Sequence, residues 1–576
     1  MNQKLENILN VSLDATEDEL RKADSLSTGY NWRDNTWEII VKYSGSLESI
    51  RNRYNVYIKE LLNYYAIIVA DKATIELISQ EDVIDYVEKP KSLYYQIERT
   101  KTAACVGNVR AGGGILSGKG VIVGMIDTGI DIYDNAFRNS DGTTRILNIY
   151  DQTTGEEYDK QSIDEYIKLN EDLSGGTFSY DNAPGVDNIM HGTDVSYIAA
   201  GSLGVAYEAD IIAVKMGYSI NNQFPRTTSL MDAIDYVIRK AIEYRKPVAV
   251  NISYGCNYGA HNGNTLLESF IDDISKSYRC VICVGSGNEA DKAIHFGGII
   301  NTGQVQTAYL SVGEYQSAMD IQIWKNYWDT IDVMLINPRG EQIGIITEGK
   351  INRYETYNTE IITLLGEPSP YNIYQEIYIN LIPKTDYILS GIWQIVLMAG
   401  NIRAGEYNIW LPSSQALGNA TSFNNPTADG TITIPATARN CIAVGAYNAY
   451  TNSYAAFSGR GFDNSIRNVN AGVKPDITAP GVDISIARQR GNDIIYRNVT
   501  GTSYAVPVVT GAAALLMQWG IVMGNDRFMY GEKLKAALID GSKPVGLAGI
   551  TGNDNHPDPR TGWGAVCLMN TLNKIL

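Results

Sequence analysis

Apolar positions change their period along this chain, and each change marks a different kind of structure. Between Trp37 and Glu88, alternating runs interleave with amphipathic ones. Trp37 to Tyr43 reads as a strand, Leu47 to Tyr54 as a helix, Val56 to Glu60 and Tyr64 to Ala70 as strands, Lys72 to Ser79 as a helix and Val83 to Glu88 as a strand. That order, βαββαβ, is a small split unit able to fold by itself. Ahead of it, Thr16 is placed to cap a helix from Glu17 to Ala23 whose first turn is acidic. Lys89 to Lys101 and the glycine-rich Ala111 to Gly120 read as an exposed connector, where cleavage is tolerated.

From Val121 the pattern becomes α/β. Val121 to Ile126 reads as a buried strand ending in Asp127-Thr128-Gly129. Ala209 to Met216 reads as a second strand before a helix from Leu230 to Tyr244, and Val248 to Ser253 and Cys280 to Gly285 follow. Strands alternating with helices imply a parallel sheet with functional side chains at the strands' carboxyl ends. Between about 294 and 425 the helical period disappears and short β-rich runs separated by polar or glycine turns take over, which predicts an inserted β-sandwich or jelly roll. The α/β texture returns at Cys441. The expected division is therefore residues 1–96, an α+β leader; 97–293 and 426–576, the two parts of an α/β domain; and 294–425, the β insert.

Composition narrows the partners. A formal net charge of −17 disfavours nucleic acid and anionic membrane surfaces. Met1 to Thr36 has no basic start followed by an apolar segment, and no later run reads as a bilayer span, so the expected location is intracellular. The six cysteines are sparse and mostly in apolar strand-like runs, as reduced core thiols are. Cys280 and Cys283 have CxxC spacing, but in an extended strand they point to opposite faces, which disfavours a metal site.

Four short blocks carry the candidate chemistry. Gly501-Thr502-Ser503 precedes an apolar helix, Asp127 closes a buried strand, His191 in His191-Gly192-Thr193 precedes a helix from Asp194 to Ala200, and Asn288 ends the Cys280 strand in Gly285-Ser286-Gly287-Asn288. Taken singly, each has an ordinary structural reading: an N-cap, a turn aspartate, a helix-start histidine, a turn asparagine. Together, in this order and each beside glycine, they resemble the signature blocks of subtilisin-like serine proteases. Lys474-Pro475-Asp476-Ile477-Thr478-Ala479-Pro480-Gly481 resembles the block that precedes the serine in that family.

The resemblance implies Ser503 as nucleophile, His191 as general base and acid, Asp127 as the group orienting the imidazole, and Asn288 as an oxyanion donor beside the Ser503 N–H. It further implies Ser253, Tyr254 and Gly255 as an edge to which substrate adds as a strand, with Gly285, Ser286 and Gly287 lining the pocket for the residue before the cut. No cofactor or metal is implied. The position after His-Gly-Thr, often a second histidine in the family, is Asp194, whose charge near His191 would raise the imidazole's proton affinity.

Ala136-Phe137-Arg138-Asn139, Asp141 to Leu147, Ser253-Tyr254-Gly255 with His261, the βαββαβ leader and the β insert are together similar to the Csp-type proteases of clostridial spore germination. That likeness implies an intramolecular chaperone that is cut off yet stays bound as a non-covalent partner. It also implies a jelly roll locking the catalytic domain, packaging in the spore, and a cortex-lytic enzyme precursor as the protein substrate. Tyr86 to Gln96 resembles the tail of a subtilisin leader, which places the cut at Gln96-Ile97 with Gly112 to Gly114 as the second choice. A catalytically quiet germination regulator and a general intracellular protease are the competing functions.

Overall fold

The computed structural model describes residues 2–91, 94–95, 116–172, 183–217, 224–346, 349–418, 420–462, 472–490, 493–546 and 557–575. At its centre lies the helix Thr502–Met517, every residue of which is buried. Seven strands run parallel beside it, in the order Ile477–Pro480, Ile442–Asn448, Cys280–Gly285, Val248–Ile252, Ile122–Asp127, Asp210–Lys215 and Ile146–Asp151. Their apolar runs are continuous because both faces are covered. The helices Thr502–Met517 and His191–Ala200 cover one face, and Thr227–Tyr244 and Leu266–Ser277 cover the other. Cys283 joins the first core and Cys280 the second, as strand alternation requires.

The N-terminal unit has the expected order. Strands Thr36–Tyr43, Tyr57–Leu61, Tyr65–Ala70 and Ile84–Glu88 form one antiparallel sheet, with helices Glu48–Tyr54 and Lys72–Ile78. One sheet face, carrying Ile40, Tyr65 and Ile67, packs on the helices Thr227–Tyr244 and Leu266–Ser277. Tyr65 meets Phe270 edge to face at 5.2 Å between ring centroids. The unit's other core takes in Ile362, Leu364, Tyr378 and Ile382 from the insert. Arg353 of the insert pairs with Asp14 at 2.8 Å and Glu19 at 3.0 Å. The insert is a two-sheet antiparallel sandwich: a six-stranded and a five-stranded sheet share one core around Trp393, Ile379 and Leu397.

Several expectations are corrected. A helix Asn7–Asp14 precedes the capped helix, which is Glu17–Lys22 with a Thr16–Glu19 capping box. The insert's sequence reads as strands at Tyr309 to Gly313, Ala318 to Trp324, Asp332 to Ile336, Gln342 to Thr347, Tyr374 to Leu381, Trp393 to Ala399 and Glu406 to Trp410, and the structure adds His295–Ile299, Ile351–Glu355 and Thr359–Leu365. Lys89 and Lys91 are not an exposed connector but are buried. Lys91 pairs with Glu88 at 2.5 Å and Glu6 at 2.7 Å, and Lys89 donates to the Ser25 carbonyl at 2.7 Å. One stretch, Thr502–Val522, is long and apolar enough to cross a membrane by length and composition. It is mostly buried here as the core helix and its continuation, because a helix covered on all sides needs the same apolar surface.

Candidate active site

Asp127 is the last residue of its strand, where the parallel sheet delivers side chains to one edge. Its Oδ1 accepts from the Thr128 N–H at 2.8 Å and faces His191 Nδ1 at 2.7 Å. Both side chains are 1% exposed, so the pair is screened little by solvent. His191 does not precede its helix but begins it, and its ring is enclosed rather than exposed toward a cleft. Gly192 explains the close approach: a Cβ there would lie 2.2 Å from the Gly129 carbonyl oxygen.

Asp187 organises the approach to this helix. Its Oδ1 accepts from the Thr128 hydroxyl at 2.7 Å and the Met190 N–H at 2.7 Å, and its Oδ2 accepts from the Thr193 N–H and hydroxyl, both at 2.8 Å. These bonds hold Met190 at φ +67°, a left-handed conformation that a side chain rarely adopts. Burial works to lower the pKa of the His191 imidazole. The charge and hydrogen bond of Asp127, helped by Asp187 and Asp194, outweigh it and hold the imidazole above its usual 6.5.

Ser503 is the second residue of the central helix and is fully buried. Gly501 before it has φ +146°, which only glycine adopts readily. Pro507 brings no N–H to the Ser503 carbonyl four residues earlier, and the Ser253 hydroxyl donates to that oxygen at 3.4 Å. Ser253 accepts in turn from Asn251 Nδ2 at 3.1 Å, and Asn251 accepts from the Thr510 hydroxyl at 3.2 Å. Tyr504, next to Ser503, places its ring 5.3 Å from that of His191. The serine, histidine and aspartate blocks thus meet at one edge of the sheet.

Asn288 joins them. Its Oδ1 accepts from the Thr502 N–H at 3.0 Å and the Thr502 hydroxyl at 3.2 Å, which fixes the amide orientation. Its Nδ2 is consequently turned away from Thr502, buried and without a hydrogen-bond partner among the described residues. A buried unpaired donor is costly unless a ligand or transition state supplies its acceptor. Gly285 ends its strand. Ser286 turns inward, 3.3 Å from the Ser458 hydroxyl, and Gly287 has φ +96°.

Tyr254–Gly255 is paired antiparallel with Tyr94–Tyr95 of the N-terminal unit, Tyr254 opposite Tyr95 and Gly255 opposite Tyr94. Gln96 and Ile97 lie outside the described residues. Sequence reasoning missed Asp187 and Tyr504. The Asp187 signal was an aspartate a few residues before a helix start, which is common in loops; Tyr504 sits inside an apolar run and carries no signal of its own.

Comparison with known proteins identifies the family. The subtilase family profile matches residues 118–369 and 395–564, and the Csp protease B prodomain profile matches residues 3–91. The CspB protease structure of Clostridium perfringens is 34% identical with a TM-score of 0.73, covering 82% of this chain and 96% of that one. Among curated proteins, the subtilase-type proteinase RRT12 of Saccharomyces cerevisiae is 39% identical over 88 residues, and subtilisin-like protease 10 of Arthroderma otae 34% over 126. The matches cover 15% and 28% of those two proteins' lengths and 15% and 20% of this chain. On the extent of the family match and the likeness to CspB, the chain belongs to the subtilase family of subtilisin-like serine proteases and carries a prodomain of the Csp protease B type.

Proposed function

We propose that this chain is a serine endopeptidase that cuts its own prodomain after Gln96, keeps it bound, and then acts on a protein substrate, a spore cortex-lytic enzyme precursor. In this reading the Ser503 hydroxyl attacks the carbonyl carbon while His191 takes its proton. Asp127 steadies the resulting imidazolium, and Asn288 Nδ2 with the Ser503 N–H receives the oxyanion. His191 then returns the proton to the leaving amine, and water resolves the acyl-enzyme.

The observation that carries self-cleavage is the pairing of Tyr94–Tyr95 with Tyr254–Gly255. It puts the prodomain's own chain on the edge where a substrate would add as a strand, and Gln96 follows Tyr95 directly in the sequence. The same strand, together with the sheet face that packs on the helices Thr227–Tyr244 and Leu266–Ser277, supports a prodomain that stays bound after the cut. The cortex precursor rests on the likeness to Csp-type proteases and on no geometry of the cleft.

Electrophoresis and intact-mass measurement of wild type and Ser503→Ala test the proposal. Wild type yields two copurifying fragments that meet between Gln96 and Ile97, and Ser503→Ala yields one full-length chain. Identical fragments from both refute self-cleavage. Cleavage of an unrelated unfolded protein but not of a cortex-enzyme precursor refutes the germination substrate.

A further inference from the structure

The geometry points to Asp194 as a positioning residue that ties the hairpin leading into Ser503 to the helix that carries His191. The inference rests on the proposed roles of those two residues.

Asp194 follows His191 by three positions, so its side chain lies about one turn further along the same helix. It is 0% exposed. Its carboxylate stands between two arginines, with Arg488 Nε 3.2 Å from Oδ1 and Arg497 Nη1 3.1 Å from Oδ2. Among the described residues neither carboxylate oxygen has a hydrogen bond of good geometry, so these are charge pairs at contact distance rather than aligned hydrogen bonds. Arg488 also lies 3.9 Å from Asp134. A buried carboxylate is tolerated when it is paired in this way, and removing one partner of such a set strands the other charge.

The two arginines belong to a two-stranded hairpin, Ile484–Arg490 with Asp493–Val499, in which Ile486 is opposite Arg497. Arg488 is two residues from Ile486, so both guanidinium groups share the face that also buries Ile486. A two-stranded ribbon holds its shape poorly by itself. This one is held by the burial of Ile484, Ile486 and Val499 and by the grip on Asp194. Ser503 follows Val499 by four residues, so a shift of the hairpin is carried directly to the nucleophile. A displacement of about 1 Å at a reacting group costs on the order of 10²-fold in rate.

The charges around Asp194 are Arg488, Arg497, His191 and Asp187, with the Tyr504 hydroxyl nearby. Burial pushes the Asp194 carboxyl up to about 6, against the arginines and His191, so it is ionised at neutral pH. Its negative charge contributes to the raised proton affinity of His191.

The test is the rate at which a fluorophosphonate labels the whole protein, its bound prodomain included, per folded molecule, between about pH 5 and pH 9. Wild type, Asp194→Asn, Arg497→Gln and the double variant are compared. Asp194→Asn is expected to label at least about 10-fold more slowly, with its acid limb moved to lower pH because a negative charge beside the imidazole is gone. Arg497→Gln is expected to lose about 3- to 10-fold, and the double variant to be no slower than Asp194→Asn alone, since residues in contact do not act additively.

Wild-type rates with an unmoved acid limb in both single variants overturn the inference. So does a double variant slowed by the product of the two single losses, or a loss that disappears once rates are normalised to the folded fraction by circular dichroism. Should Asp194→Asn fail to fold, Arg497→Gln carries the test, because that side chain is 40% exposed. Absence of any label on wild type refutes the role of Ser503 instead, and so separates the two claims.

Discussion

Replacing Asn288 by alanine tests the chemistry of the site at one atom. The Asn288 amide is oriented by two contacts to Thr502, at 3.0 and 3.2 Å, so its Nδ2 is a fixed, buried donor without a partner among the described residues. Such a donor needs no reorganisation when negative charge develops, and removing the corresponding donor in subtilisin costs about 10²- to 10³-fold in kcat, or about 2.7–4 kcal/mol. The lost contact to the Thr502 N–H adds a separate cost of about 0.5–2 kcal/mol, as for a helix cap, which affects stability rather than the barrier. Self-cleavage is unimolecular, so the barrier is read without a KM. Pulse-chase translation, following conversion of the full-length chain into two fragments, gives the first-order rate constant. Asn288→Ala is expected to process about 10²- to 10³-fold more slowly than wild type. Asn288→Asp keeps the oxygen toward Thr502 but replaces the donor, and is expected to be at least as slow. Processing of Asn288→Ala within about threefold of wild type refutes the assignment of Nδ2.

Three further outcomes follow from the structure. His191 must be neutral to act and its proton affinity is raised, so the acid limb of the labelling profile is expected to have its midpoint above pH 6.5; a midpoint below 6.5 contradicts the Asp127–His191 arrangement. Burial pushes Glu376, at the junction of prodomain and insert, up to about 8, so its contribution to stability is present in full below the unfolded value near 4.5 and is lost as pH rises through about 8. Glu376→Gln is therefore expected to raise Tm relative to wild type at pH 8 and not at pH 4.5, and an equal shift at both refutes the titration. Lys91→Met strands Glu6 and Glu88 without their cation and is expected to destabilise the prodomain by about 3–5 kcal/mol; size-exclusion chromatography then shows the cleaved prodomain separating, and full retention argues against the ion cluster as its anchor.

The parts of the site that the sequence revealed are the blocks whose order resembles that of the family, since each block alone has an ordinary structural reading. Asp127, His191 and Ser503 each sit in a short glycine-bearing block because backbones approach closely there, as Gly192 does to Gly129. The order of the N-terminal unit was legible because short apolar runs such as Tyr65–Ala70 are set apart by stretches with a helical period such as Lys72–Ile78. In Thr359–Leu365, Ile361 faces the sandwich core while Ile362 and Leu364 face the prodomain, and Thr359, Glu360 and Thr363 break the run, so it shows neither alternation nor a continuous apolar stretch. Lys89 and Lys91 read as solvent-exposed because charge usually is, and their partners Glu6 and Glu88 become visible only once the prodomain folds. The arginines on Asp194 were equally hidden, since they join segments far apart in the chain.

Peptide-bond cleavage at this site requires that His191 chemically activate the Ser503 hydroxyl. Fluorophosphonate treatment of the whole protein, its bound prodomain included, followed by peptide mapping measures that directly. The expected result is a single adduct on Ser503 that is lost in His191→Ala while that variant stays folded. Label on other serines with Ser503 unmodified, or equal labelling of Ser503 in His191→Ala, contradicts it.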